Sequence, residues 1–474
     1  MKQKRSLSLI PWILLLVCSA VYVSLIFNQN VWMDEAFTAS LVRTDMAGVI
    51  HSSMLDTLPP LYNIILKLMT DLLGYRIPVM KLTSVLPMIF TMLLGATTVR
   101  KRHGLLTGCI WMLCLTCMPL MLHFGIEIRM YSLGFFFATA SGVYAYEVIC
   151  ESCPKNWILF TLFSVLAGYS HHFAFVSVGV VYFFLLLYYL IRERQHLKRW
   201  LFCLLATFLF YLPCLLITLK QISRVSGYFS MPDVTLSVFV KYMIYPFITG
   251  QTVLSVLLLF GMLALLCFRL FTTIRALKKN RDAVDASDVY AMLCLLPYYF
   301  VLLFGTVISK IMTANIFVDR YLFFSCGLLW LFFAIEVPHL PAVSVFKKQL
   351  PLSFAALILV LLTGVAVYRG EWKQEYGVDP SPMISYLEEQ VSPGDGLLAV
   401  ADSEALYWCL KFYSPDLTAY TSPEKAMKAL EEGDCNRLWV AVEEGSMVPG
   451  SLPEPETAGE FAFDRYRFTL YRLR

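Results

Sequence analysis

Charge is what this sequence has least of. Only 15% of its 474 residues are Asp, Glu, Lys or Arg, where a soluble globular chain carries roughly 25%. A soluble chain of this length divides into domains with charged exteriors, and here there is too little polar surface to coat them. A soluble enzyme and a disordered chain are therefore excluded as the main reading. So is a nucleic-acid binder, because a net charge of +4 is too small to draw a polyanion. The compact signatures of several chemistries are also missing: there is no P-loop, GxGxxG, HExxH or GxSxG. ATP-driven transport and zinc or serine proteolysis by those motifs lose support. Internal repeats and low-complexity tracts are absent, as are the paired, Gly/Pro-broken halves of many secondary transporters.

What the chain has instead is long hydrophobic runs, in a composition that is 58% hydrophobic and 15% aromatic. A helix needs about 20 mostly apolar residues to cross the hydrocarbon core. Uncharged runs of that kind cover Ile10–Ile26, Leu82–Val99, Leu105–Leu122, Tyr131–Tyr146, Trp157–Tyr169 and Phe173–Ile191. Others cover Trp200–Leu219, Val253–Phe268, Val289–Ser309, Tyr321–Ile335 and Leu350–Val367, making eleven in all. The expected fold is an α-helical polytopic membrane protein. The first run is not a removable signal peptide, because no small-residue cleavage site follows it before Asp34.

Basic residues gather in alternate loops: Lys2, Lys4 and Arg5; Arg100–Arg102; Lys155; Arg192–Arg199; Arg275–Arg281; Lys347 and Lys348. The positive-inside tendency then puts the N-terminus in the cytoplasm and leaves the opposite loops, with Asp34, Glu35, Asp45, Asp56, Glu127 and Asp319, outside. This alternation requires Trp157–Ile191 to be two spans turning at Gly168–His172, since one long broken helix would place Arg192–Arg199 outside. An odd number of spans leaves the C-terminus outside. The expected place is the plasma membrane, crossed many times, with membrane lipids as neighbours.

Beyond Tyr368 the composition becomes charged and turn-rich, as in Ser392-Pro-Gly-Asp-Gly396. Strand-like runs (Gly396–Ala401, Arg437–Val442, Arg467–Tyr471) alternate with helical stretches (Pro382–Glu389, Ser403–Phe412, Pro423–Glu431). Residues 369–474 therefore read as a small exterior α/β domain, and residues 1–368 as the transmembrane module. Most of the thirteen cysteines lie within spans, where Cys behaves as a small hydrophobe. Cys150 and Cys153 form a lone CxxC without a second pair, a poor zinc site. Cys409 and Cys435 share the exterior domain and are candidates for a disulfide.

Chemistry is concentrated in the outer loops. The first, Asn28–Lys81, is long and half-apolar, as expected of short helices lying along the membrane surface. It carries the adjacent carboxylates Asp34 and Glu35, then Asp56-Thr-Leu-Pro-Pro-Leu-Tyr62. The acidic pair is either a solvated loop pair or a carboxylate at a cavity mouth serving as general base to an acceptor hydroxyl. Glu127 and Arg129 sit in a very short loop between spans; Arg129 either snorkels to headgroups or helps bind a phosphate-bearing lipid. His171 and His172 project about 100° apart on a helix, so they do not share one metal; they line a cavity or pack at the interface. Lys310 and Arg320 lie at an outer boundary against the positive-inside tendency, which favours an anion contact for Arg320.

In these residues the chain resembles membrane glycosyltransferases of the GT-C superfold. It is most similar to the family 39-like group that includes protein O-mannosyltransferases and the bacterial aminoarabinose transferase. The matching pieces are Asp34-Glu35, Asp56-x-x-Pro59-Pro60-Leu61-Tyr62, Glu127-x-Arg129-x-Tyr131-Ser132-Leu133, the His171-His172 turn and Arg320-Tyr321-Leu322. The layout of spans, large first loop and trailing domain is also similar.

The resemblance implies a GT-C-like fold and transfer of a sugar from a polyprenyl-phosphate carrier to an envelope acceptor (lipid, polymer or protein) on the outer face, with inversion. Asp34 would be the general base and Glu35 its support. Glu127 would position substrate or a divalent metal such as Mg or Mn, the one cofactor the resemblance leaves open. Arg320, Arg129 and Lys310 would hold the donor phosphate, and Asp56, Tyr62, His171, His172 and Tyr321 would position substrate. Two rival readings are a transporter or flippase of lipid-linked sugars and a non-catalytic envelope scaffold.

Overall fold

A computed structural model describes residues 2–225, 233–279, 285–312, 315–345, 348–401 and 404–473. Arg281, Lys347 and Ser403, named above, lie outside the described residues. The chain packs as two units. One comprises Met1–Ser24, Ile50–Ile65 and Lys81–Gly370; the other comprises Leu25–Val49, Leu66–Met80 and Glu371–Arg474. The division thus cuts through the first loop rather than following the linear order.

The first unit is a helix bundle. An uncharged apolar run in hydrocarbon can satisfy its backbone only within itself, and the helix does so. Each of the eleven expected runs falls on a helix. Among the described residues eight helices are long and apolar enough to cross a membrane, including Ile77–His103, His172–Ile191 and Ala286–Ile311. The other three expected runs fall on shorter apolar stretches: Leu9–Ser24, Leu105–Cys117 and Pro154–Ser170. The expected run Leu105–Leu122 is interrupted at Met118-Pro119-Leu120, where Pro119 cannot donate to a helical bond and Leu120 takes a positive φ of 72°.

Helices Tyr131–Cys150 and Asp319–His339 are almost wholly enclosed, whereas Thr252–Lys278 presents Leu257, Phe260 and Phe271 bare. Apolar faces of this extent are not left to water, so the bundle belongs to a multi-pass membrane protein. Its two inner helices touch closely because Gly327 has no side chain: a Cβ there would collide with Thr139, the small-residue packing typical of membrane helices. Charges within the bundle pair with one another. Arg269 bonds Glu336 at 2.7 Å and also Asp288, and Arg102 grips Glu147 through two bonds at 2.6 and 2.7 Å.

The turn expected at Gly168–His172 is present. Helix Pro154–Ser170 ends at His171, whose backbone is extended, and His172–Ile191 folds back on it. Phe160 and Tyr182, equidistant from His171 in sequence, bring their rings to 4.6 Å. The run is therefore two helices folded back on each other and not one long broken helix.

The second unit holds a five-stranded sheet. After a hairpin in the bundle unit, β1 (Ala342–Val345) with β2 (Lys348–Pro351), come β3 (Gly396–Val400), β4 (Thr418–Tyr420), β5 (Leu438–Glu443), β6 (Glu456–Phe463) and β7 (Tyr466–Leu473). The sheet order is β4-β3-β5-β7-β6, parallel among β4, β3 and β5 and antiparallel around β7. Helices Ala405–Tyr413 and Pro423–Glu431 make the parallel crossovers, as parallel pairing demands. Leu398, Leu438, Val440 and Ala426 form the core. Cys409 and Cys435 are both buried free thiols, so the disulfide considered from the sequence is not formed. Cys409 instead donates to the carbonyl of Val31 at 3.5 Å.

Candidate active site

In the bundle unit the short link between Met121–Ile126 and Tyr131–Cys150 carries Glu127 and Arg129. Its path is fixed from several sides. The Arg129 N–H bonds back to the Glu127 carbonyl at 2.6 Å, a tight turn. Ser84 also donates to that carbonyl, and Tyr62 shares a 2.7 Å hydroxyl contact with Ser84. Behind the link, the Tyr22 hydroxyl lies within bonding distance of the carbonyls of Leu115 and Met121, at 2.6 and 3.1 Å. Gly125 admits the Tyr22 ring, where any Cβ would clash. Glu127 and Arg129 are only 7% and 9% exposed, and buried charge demands close partners. His123 Nε2 lies 3.3 Å from Glu127 Oε1.

Tyr131, the first residue of its helix, is within electrostatic reach of Arg320, Arg129, Glu127 and Tyr321. These motif residues, far apart in sequence, thus converge. His171 joins them: its ring lies 4.8 Å from Tyr321, and it feels the charge of both Arg129 and Arg320. Arg320 is half-buried, and Asp319 accepts its backbone N–H at 2.9 Å.

His171 is 1% exposed. Its Nδ1 accepts the Phe173 N–H at 3.1 Å, which leaves the proton of the neutral ring on Nε2. That Nε2 has no hydrogen-bond partner among the described residues, so it is a donor held ready. Burial, then His172, Arg129 and Arg320, push its pKa well below the ordinary histidine value. The unfolded chain takes up this proton near pH 6.5 while the folded one does not, so stability is complete above that pH and falls as pH drops. The thermal midpoint in detergent is expected to fall between pH 7 and pH 5. His171→Gln should flatten that slope by up to ~1.4 kcal/mol per pH unit; an unaltered slope would show that His171 is not the group responsible.

His171, His172, Thr57, Gln221 and Tyr321 form the polar end of a cavity of about 640 Å³. His172 Nε2 meets the Thr57 carbonyl at 3.3 Å, and Gln221 donates to Leu58 and Ser53 carbonyls at 3.2 and 3.3 Å. Away from this end the walls are apolar, among them Phe175, Phe208, Leu215, Phe304 and Ile308. Among the described residues no Asp, Glu, Lys or Arg lines the cavity. From Gln221 to Phe208 it follows one helix for roughly 20 Å at 1.5 Å per residue. Such a slot takes a long uncharged chain with a polar group at one end.

Not every expected residue belongs to this cluster. Lys310 is exposed on the last turn of Ala286–Ile311 and is not among the cavity's lining residues. Tyr62 is joined through Ser84 to the link's backbone at Glu127. Asp56 is half-buried beside the cavity residue Thr57, whose hydroxyl is 3.4 Å from its carboxylate. Two residues escaped the sequence reading. Gln221 lies just past an apolar run, and Lys81 reads in the sequence as the end of the first outer loop. In the structure Lys81 is 1% exposed inside helix Ile77–Leu94, three residues before Ser84 and so on the same helical face.

Asp34 and Glu35 belong to the second unit, in the first turn of helix Met33–Leu41. Glu35 is buried, and its Oε2 accepts the Trp32 N–H at 3.2 Å, satisfying the main chain at the start of the helix. Its side chain is thereby committed to the helix end. Asp34 is half-exposed, and its carbonyl receives the Thr38 hydroxyl at 2.9 Å.

Among the described residues no three His, Cys, Asp or Glu side chains are grouped as a metal site. Glu127 shares its surroundings with two guanidinium groups, one imidazole and the carboxylate of Asp319, which acts with it on Tyr245.

Two solved structures of ArnT from Cupriavidus metallidurans share the fold of this chain. ArnT in the apo state gives a TM-score of 0.64 at 12% identity, over 97% of this chain and 97% of that one. ArnT bound to undecaprenyl phosphate gives 0.62 at 12% identity with the same coverage. At this identity the likeness is one of fold. No family model matches the chain. No curated relative matches it either.

Proposed function

We propose that this protein is a membrane glycosyltransferase. It would move a sugar from a polyprenyl-phosphate carrier to an acceptor hydroxyl on the outer face of the plasma membrane, with inversion at the anomeric carbon. In this reading the N-terminus is cytoplasmic and the C-terminal domain faces outward. The observation that carries it is the convergence of Arg129 and Arg320 on the neutral donor His171, which itself lines the polar end of a largely apolar cavity. An isoprenoid chain fits the apolar length, and an anionic phosphate fits the guanidinium groups beside His171. The fold shared with ArnT, one structure of which holds undecaprenyl phosphate, supports the same reading.

The chemistry follows from the charges. As the bond from the anomeric carbon to the carrier phosphate breaks, positive charge builds on the sugar and negative charge on the departing phosphate. The phosphate leaves with the bonding pair, stabilised by Arg320 and Arg129 without being protonated. Asp34 takes the proton of the acceptor hydroxyl as its oxygen bonds to carbon from the opposite face. Tyr321 orients the departing group, and Glu127 holds the arginines in register.

Carrier binding is testable without turnover. Undecaprenyl phosphate should raise the thermal midpoint of the purified protein, by the equivalent of about 2.7 kcal/mol at a hundredfold excess over Kd. Phosphate-free polyprenol and inorganic phosphate, each alone, should do much less. Equal stabilisation by the polyprenol, or none by the phosphate lipid, would count against the proposal.

A further inference from the structure

The segment leading into the Asp34 helix, Asn28-Gln29-Asn30-Val31-Trp32, is buried despite its amides: Asn28 and Asn30 are both 4% exposed and Val31 is fully enclosed. Buried polar groups must find partners, and those of this segment come from the C-terminal domain. The Tyr413 hydroxyl, at the end of helix Ala405–Tyr413, accepts the Val31 N–H at 3.0 Å and donates to the Gln29 carbonyl at 2.8 Å. One turn earlier, Cys409 donates to the Val31 carbonyl. Asn30 donates to the carbonyls of Glu375 and Val378 at 3.0 and 2.7 Å. Its Oδ1 accepts the N–H of Asp464 at 3.0 Å, in the turn between β6 and β7. Around these bonds Trp408 packs edge-on against Phe37 at 5.0 Å, and Arg465 lies 5.3 Å over the Trp32 ring.

A tyrosine suits this place because one hydroxyl can both accept and donate, tying an N–H to a carbonyl two residues away. Burial pushes the Tyr413 hydroxyl well above its ordinary pKa, so it keeps its proton. The packing therefore reverses the order suggested by the chain. The C-terminal domain is the platform on which the N-terminus of Met33–Leu41 is set.

We infer that Tyr413 and Asn30 are positioning residues that fix the Asp34 carboxylate, through the 28–33 backbone, on the C-terminal domain. The inference rests on the proposed role of Asp34 as general base. A displacement of about 1 Å at a reacting group can cost as much as 10²-fold in rate, so losing the two Tyr413 bonds is expected to lower kcat while leaving the donor site intact.

The test uses full-length Tyr413→Phe, which keeps the ring against Phe463, in wild-type and Asp34→Asn backgrounds. Turnover is followed by mass spectrometry over long incubations, and backbone hydrogen exchange is read across residues 28–41. We expect kcat to fall about 10–100-fold, donor KM to stay within about twofold, and exchange to quicken in 28–41 alone. The residual rate of Asp34→Asn should not fall further when Tyr413→Phe is added, because the hydroxyl acts through that carboxylate. Asn30→Ala should behave likewise. A kcat within about twofold of wild type in both variants, or an equal loss in the Asp34→Asn background, would overturn the inference. Failure of the base assignment is read separately, as wild-type turnover in Asp34→Asn alone.

Discussion

Asp34→Asn is expected to reduce sugar transfer by roughly 10²–10⁴-fold, the contribution typical of a general base, while leaving the fold and carrier binding in place. The substitution keeps the side chain's size on a half-exposed residue, and the bond it makes to Thr38 uses the main chain. The loss of favourable charge at a helix N-terminus costs about 0.3–1 kcal/mol, too little to unfold the protein. Glu35 provides the contrast. Gln at that position can still accept the Trp32 N–H, so Glu35→Gln should retain most activity, whereas Glu35→Ala, which loses that bond, should cost about 1 kcal/mol of stability. Equal losses from Asp34→Asn and Glu35→Gln would remove the special status of Asp34.

Arg320→Ala should act on the donor instead. A hydrogen bond to a charged group contributes about 1.5–3 kcal/mol, so donor KM is expected to rise by roughly 10–100-fold with acceptor KM unchanged. Arg320→Lys keeps the charge but loses the planar fork, and should fall between wild type and Ala. Half-buried Arg320 begins the helical segment Asp319–Leu322, and Asp319 holds its backbone N–H rather than depending on its guanidinium for that bond. Removal of the side chain therefore leaves the turn supported. An unchanged donor dependence would move the phosphate role to Arg129 or to buried Lys81.

The helices and most of the small domain were legible in sequence because their causes are local. Uncharged runs mark spans, and the Gly168–His172 turn shows where one run folds into two. Strands β3, β5 and β7 stand out as apolar stretches, whereas β4 is three residues long and β6 starts after Pro455 with exposed residues; neither carries that signal. The motif residues Glu127, Arg129, Arg320 and His171 were also legible, since charge and imidazole at the ends of apolar runs stand out. What was hidden is long-range. The Cys409–Val31 contact joins residues 378 positions apart, and nothing near Val31 signals that the C-terminal domain will hold it. Lys81 and Gln221 read as ordinary loop polarity until folding buries them. The exposure of Lys310 was equally hidden, because a cation at a helix end looks the same in sequence whether or not it turns inward.

The measurement closest to the central claim is release of free polyprenyl phosphate by purified protein. It would be followed by mass spectrometry across a panel of polyprenyl-phosphate sugars, with cell-envelope extract as the acceptor source, with and without chelator. The account predicts release from one donor, dependent on acceptor, abolished by Asp34→Asn and weakened by Arg320→Ala. Silence across every donor from well-folded protein with active extract, or release indifferent to Asp34, would contradict it.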